Sequence, residues 1–390
     1  WLKWTRQPQK RAGCNRRCTA AAFCCQMQLA SRSAAWCAAQ CSRGLATAGR
    51  PASATGCFSK QRSLATASSA ASRESLHIET PLVHSETLSA HLGAEVHLKM
   101  DCLQPPGSFK IRGIGKTVRG AVEGGAKQIV SSSGGNAGLA AAYAARRLGV
   151  PITVVVPTTT PADVHERLRR CGAEVEVHGS VWNEADTRAR QIVEQQNGFY
   201  VHPFNQPSTW QGHASLVEEL SRQLPRAPDA IVTCVGGGGL LMGILKGLEA
   251  QSWSSTRVVA CETEGAASMA GSIAKGEVVT LPAITSVAKS LGSLTVDPEI
   301  FALCRKLGPE LVTPFVMSDA AAVAACVRLA ADHRVLVEPA CGAAVAAVTE
   351  RSEALKGCKL VVVEVCGGAI INLETLSALA RQFGVEKVES

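Results

Sequence analysis

Residues 128–156 read QIVSSSGGNAGLAAAYAARRLGVPITVVV, and this stretch decides the fold. Gln128–Ser132 is short and β-branched, and predicts a strand. The small-residue run from Asn136 to Leu148 predicts a helix, and Pro151–Val156, almost purely Ile, Thr and Val, predicts a second strand. An uninterrupted apolar strand fits burial on both faces, the situation of a parallel sheet covered by helices. Strand, helix of about a dozen residues, strand is the βαβ unit. Working outward, strands are expected at Glu95–Met100, Glu174–Val177, Ala230–Val235, Arg257–Glu262 and Lys359–Val365. Helices are expected near Ala162–Arg170, Trp182–Gln195, Thr209–Leu224 and Asn372–Arg381. The class is α/β with mostly parallel sheets. No internal repeat is evident.

The chain has 390 residues, enough for two domains, with 46% hydrophobic and 18% charged residues. Its formal charge of +8 is unevenly placed. Before Glu74 there are 12 Lys and Arg and no acid, which leaves 28 basic against 32 acidic residues in the remainder. The body is therefore mildly acidic, and no basic stripe calls for nucleic acid. No apolar run approaches the roughly 20 residues that span a bilayer. Residues 1–73 are rich in Ala, Ser and Arg. They are expected to be a disordered leader, either an organellar transit peptide or a spurious extension. Cytoplasmic residence is expected, or a mitochondrial or plastid one if that leader is genuine. Of 16 cysteines, nine follow Glu74, scattered and without a C-x-x-C pair. They read as buried free thiols in a reducing compartment rather than a disulfide framework or a zinc motif.

Four loops carry chemistry. Pro106-Gly107-Ser108-Phe109-Lys110-Ile111-Arg112-Gly113 puts a lysine between a glycine-containing loop and the first turn of a helix. Beside a bulky apolar neighbour, its ammonium can lose affinity for its proton and become a nucleophilic amine, although taken alone Lys110 also reads as a solvated surface lysine. Ser131–Gly138 joins a strand to a helix, so its backbone N–H groups could meet a carboxylate or a phosphate, while Ser133 or Asn136 would also serve as an ordinary N-cap. Gly236-Gly237-Gly238-Gly239, again between strand and helix, exposes consecutive donors with no Cβ in the way and reads as a phosphate cup. Cys366-Gly367-Gly368 ends a strand at the carboxyl edge of a sheet, where open α/β sheets place ligands. Glu262 lies 23 residues after Gly239, near the offset at which a dinucleotide site sets an acid on a ribose hydroxyl. The G-x-G-x-x-G pattern fails, however, because the third glycine would have to be Leu241 or Met242. The nine histidines show no metal-ligand spacing.

Taken together with Thr285–Lys289 and Glu338–Gly342, these motifs resemble the fold-type II pyridoxal-phosphate enzymes, the tryptophan synthase β-like architecture. They most closely resemble the short, catabolic L-serine/L-threonine dehydratases, over about His77 to Gly384. The resemblance implies a Schiff-base role for Lys110, a packing role beside the cofactor ring for Phe109, and contact with the ring hydroxyl for Asn136. It implies that Ser133, Gly134, Gly135, Asn136 and Ala137 grip the substrate carboxylate, and that Gly236, Gly237, Gly238, Gly239 and Leu240 hold the phosphate. Cys366 would meet the pyridine nitrogen. Glu262, Ala266 and Ser268 would bind a monovalent cation, potassium in this branch. A neutral thiol at that nitrogen makes a weaker electron sink than a protonated ring, which favours loss of a β leaving group. The implied reaction takes serine to pyruvate, or threonine to 2-oxobutanoate, with release of ammonia. Related serine racemases carry a serine where this chain has Gly134, so elimination without racemisation is expected. A large domain of residues 74–101 and 207–390, a small domain of residues 102–206, a cleft between them and a homodimer are also expected, without feedback control by a branched-chain amino acid. A relative that binds cofactor or amino acid as a sensor is the alternative from another functional class.

Overall fold

The computed structural model describes residues 75–385, so the expected leader lies outside the described residues. Its strands are β1 (Leu82–His84), β2 (Glu95–Lys99), β3 (Ile129–Ser131), β4 (Ile152–Val156), β5 (Glu174–Val177), β6 (Phe199–Tyr200), β7 (Ala230–Cys234), β8 (Arg257–Thr263), β9 (Val312–Met317) and β10 (Leu360–Glu364). The α-helices are α1 (Glu86–Leu92), α2 (Lys110–Glu123), α3 (Asn136–Leu148), α4 (Ala162–Arg170), α5 (Trp182–Gln196), α6 (Pro207–His213) and α7 (Ser215–Gln223). They continue with α8 (Gly239–Ala250), α9 (Ser268–Lys275), α10 (Pro298–Leu307), α11 (Asp319–His333), α12 (Pro339–Thr349) and α13 (Leu373–Phe383).

Two sheets result. The larger has the order β1-β2-β10-β7-β8-β9, with β1 antiparallel on β2 and every other pairing parallel. The smaller has the order β5-β4-β3-β6 and is wholly parallel. Strands β4, β7 and β10 are buried along their whole length, as expected of strands covered on both faces. Each sheet has its own apolar core, one around Val232, Val259 and Val362 and one around Ile129 and Val154. Among the described residues, no helix is long and apolar enough to cross a membrane.

The single helix expected over Thr209–Leu224 is in fact two, broken at Ala214. The break lets each half dock differently. Helix α6 lies directly against α2: a Cβ on Gly212 would fall 2.3 Å from the Arg112 carbonyl oxygen, and one on Gly113 2.6 Å from the His213 ring. Helix α7 instead carries Glu219 to the buried Arg112 guanidinium. Arg112 forms bidentate pairs with Asp101 (2.6 Å from both Nε and Nη2) and with Glu219 (2.6 and 2.8 Å). Lys99 of β2 closes the cluster at 2.5 Å from Glu219. Charges buried this deeply are tolerable only when paired and fully hydrogen-bonded. The cluster therefore fixes the first turn of α2, two residues from Lys110, to β2 and α7.

Candidate active site

Lys110 is the first residue of α2. The turn before it is tied to the turn after β10. The Phe109 N–H donates to the Cys366 carbonyl at 2.8 Å, the Gly368 N–H donates to the Gly107 carbonyl at 3.1 Å, and Ser108 bridges Gly367. The topology thus places Lys110 and Cys366, far apart in sequence, on two turns bonded to each other. Lys110 Nζ donates to the Pro203 carbonyl at 2.8 Å and lies 5.1 Å from the centre of the Phe109 ring. Burial pushes its pKa down to about 8, partly offset by Cys234, Cys366 and Glu338. A lysine in this condition is a competent amine nucleophile near neutral pH.

The glycine stretch follows β7 and opens α8, with Gly238 at a left-handed φ of 92°. The amides of Gly239, Leu240 and Leu241 are first-turn donors without an intrahelical acceptor. Segment 203–204 connects this cup to the lysine. The Pro203 carbonyl holds Lys110, while a Cβ on Gly237 would sit 2.5 Å from the Phe204 ring and one on Gly239 2.7 Å from the Phe204 carbonyl oxygen. Only glycine lets the cup come this close to that segment. The Cys366 Sγ is buried, 3.5 Å from Cys234 Sγ. Hydrogen bonding with Cys234 and Cys341 that favours the S–H form, then burial, holds its pKa well above the ordinary value, so it is a neutral thiol.

The serine-glycine loop packs against α3, so tightly that a Cβ on Gly138 would overlap the Ser133 carbonyl oxygen at 1.7 Å. The helix N-cap is Gly135, with no side-chain cap, in place of the expected Ser133 or Asn136. The reason is that Asn136 is turned inward, its Nδ2 donating to Glu338 Oε1 at 2.7 Å. A carboxamide nitrogen carries two hydrogens, so one donor remains free of that bond. Ser132, just before the loop, hydrogen-bonds Asp186 at 2.7 Å and Tyr200 at 2.9 Å, which fixes the end of β3. Gly134 and Ala137 sit in this loop and at its junction with α3, with Ala137 buried.

Glu338 has a part that sequence reasoning did not assign. It is buried, and burial raises its pKa to about 7. It stood in the Glu338–Gly342 motif without a role of its own, and nothing local announced that it would reach Asn136, 202 positions away. The expected cation ligands Glu262, Ala266 and Ser268 do share one turn. Both Glu262 oxygens accept backbone N–H groups of α9, from Met269 at 2.9 Å and Ala270 at 2.7 Å. Burial still raises its pKa to about 7. Ser268 Oγ is buried with no protein partner. Thr285–Lys289 lies alongside, with the Thr285 N–H on the Gly265 carbonyl at 3.1 Å.

Ser108 Oγ, Asn136 Oδ1 and Glu338 Oε2 are likewise buried without a protein partner. Buried polar atoms normally find one, so orphans on the segments around a desolvated amine fit a polar ligand. Parallel sheets, a lysine amine and a glycine cup at a helix N-terminus define a fold-type II cofactor enzyme, in which a lysine holds an aldehyde and a cup holds its phosphate. Residues 74–367 match the family described as "Pyridoxal-phosphate dependent enzyme", and the chain belongs to it. It is 47% identical over 328 residues to mouse "L-serine dehydratase/L-threonine deaminase", covering 81% of this chain and 98% of that protein. It is 46% identical over 325 residues to human "Serine dehydratase-like", covering 80% and 97%. A solved fungal L-serine ammonia-lyase from Rhizomucor miehei superposes with a TM-score of 0.74 at 37% identity, covering 80% of this chain and all of that one.

Proposed function

We propose that this chain is an L-serine/L-threonine dehydratase. It eliminates water from the β-carbon and then releases ammonia, leaving pyruvate or 2-oxobutanoate. The observation that carries the reading is the desolvated Lys110 amine, on a turn hydrogen-bonded to the one bearing the neutral Cys366 thiol. Pyridoxal phosphate, when bound, supplies an electron sink for the α-carbon bond that breaks. Lys110 would hold its aldehyde carbon and, once released, take the substrate α-proton at Nζ. The amides of Gly236–Gly239 and Leu240 would hold the phosphate, and Phe109 would pack beside the ring. Asn136, oriented by Glu338, would offer its free N–H to the ring hydroxyl. Ser133 to Ala137 would hold the substrate carboxylate. Cys366, as a neutral thiol, would leave the ring nitrogen without a fixed proton.

The reading extends to a small domain of residues 102–206 carrying Lys110 and the serine-glycine loop, closing against the rest of the chain, and to a homodimer. A potassium ion at Glu262, Ala266 and Ser268 belongs to it, supported by the unpartnered Ser268 hydroxyl in that turn. A reducing compartment such as the cytoplasm is supported by nine free cysteines among the described residues. The test is pyruvate release from L-serine, and 2-oxobutanoate release from L-threonine, by purified protein supplied with pyridoxal phosphate. Activity that is abolished in Lys110→Ala supports the reading. Cofactor binding without turnover would instead favour the sensor alternative.

A further inference from the structure

No C-x-x-C pair occurs after residue 74, so no zinc motif is legible there. Sheet order supplies what spacing does not. Strands β7 and β10 are neighbours, and the ligand atoms of Cys234, Glu364 and Cys366 all lie within 4.8 Å of one another. The two sulfurs are 3.5 Å apart. Two thiolates on a tetrahedral zinc ion, each at about 2.3 Å, would be separated by roughly 3.8 Å, so ligation needs only a small adjustment. The second, independent observation is Glu364. Its side chain is fully buried, and neither carboxylate oxygen has a hydrogen-bond partner. A buried carboxyl group left in that condition costs free energy unless something pairs with it.

We propose that Cys234, Glu364 and Cys366 form a binding site for a soft divalent cation, with zinc as the best fit. Thiolate sulfur and carboxylate oxygen together suit zinc and exclude magnesium and calcium, which take all-oxygen sites. Binding is proton exchange: Zn2+ forms two Zn–S bonds and one Zn–O bond, and two thiols and one carboxylic acid each release a proton. The assembled site carries one net negative charge. Lys110, which interacts electrostatically with Cys234 and Cys366, offsets it as the ammonium. The Cys341 thiol borders Cys366. The metal therefore favours the cofactor-free chain, in which Lys110 is a free ammonium and Cys366 is not engaged with a ring nitrogen. Zinc and cofactor compete, a consequence that rests on the proposed placement of Cys366, whereas zinc binding itself does not.

The test uses the full chain, freed of metal and cofactor under reducing conditions and titrated with Co2+ and then Zn2+. The expected result is one equivalent of cobalt with the intense visible bands of tetrahedral thiolate ligation, displaced by zinc. Cys234→Ser and Glu364→Leu should each weaken zinc at that equivalent by about 100-fold or more, since losing even an indirect support of a metal costs 10–100-fold. Other cysteines bind equally in wild type and variants, so the difference isolates this site. Glu364→Leu keeps the volume and removes the orphan carboxyl, so it should fold and melt no lower than wild type. If the cobalt bands are missing, or if both variants bind zinc as wild type does, the proposal is overturned. Zinc should also slow the return of the visible cofactor band in wild type and not in Glu364→Leu. Zinc binding without that competition would instead overturn the placement of Cys366 at the ring nitrogen.

Discussion

Burial of Lys110 makes a quantitative prediction about its reactivity. The side chain is half-buried beside Phe109, its amine is bonded to the Pro203 carbonyl, and its pKa falls from 10.5 to about 8. Only the neutral amine attacks a carbonyl or an anhydride. At pH 7 about one Lys110 in ten would be neutral, against about one in three thousand for an ordinary lysine, roughly a 300-fold difference. Because the folded-state value is depressed, the neutral fraction climbs about tenfold per pH unit up to pH ~8 and is flat above it. The assay is pulsed acetylation of the cofactor-free chain across pH 6–11, with the peptide carrying Lys110 quantified by mass spectrometry against a lysine model peptide. Restricted access would lower the absolute rate without moving the pH at which it levels off. A rate that keeps rising past pH 9.5 would refute the argument that burial activates this lysine.

Glu338 should make the protein lose stability as pH rises from about 4.5 to about 7, because the native state there keeps a proton that the unfolded chain gives up. Glu338→Gln retains an acceptor for Asn136 and should be more stable than wild type by up to about 3 kcal/mol at pH 8, and equal to it near pH 4, as read from urea midpoints. Glu262 contributes a slope in the same window to both proteins, so the difference between them is the informative quantity. Arg112→Met leaves Asp101 and Glu219 buried without their guanidinium and should cost about 3–5 kcal/mol in a denaturant titration. Adding Asp101→Asn and Glu219→Gln should recover much of that loss. The wild-type chain should form no D-serine from L-serine by chiral chromatography, since Gly134 offers no side chain as a second base. A Cβ there would lie 3.2 Å from the side chains of Thr160 and Val156, so Gly134→Ala should fold at a cost of at most about 1.5 kcal/mol.

What the sequence revealed was whatever is local. Helices α3 and α4 and strand β5 fall where their composition placed them, because a period or an apolar run is contained within each. Strand β9 was missed because Pro314 interrupts it, which an edge strand tolerates. Strands β1 and β6 have three and two residues, too few for any periodicity. Helix α12 is buried on nearly every side, so its Ala- and Val-rich sequence shows no polar face against which to see a stripe. The same division holds in the site. Lys110, the glycine cup and Cys366 each announce themselves within a few residues. Glu364 beside Cys234 depends on β10 pairing with β7, and Glu338 beside Asn136 on a contact between segments 202 residues apart, and no local pattern encodes either.

The most direct measurement is borohydride reduction of the chain loaded with pyridoxal phosphate, followed by mapping of the labelled peptide. The cofactor mass should be fixed to Lys110, and the same preparation before reduction should release pyruvate from L-serine. A label on another lysine, or undiminished deamination by Lys110→Ala, would contradict the assignment.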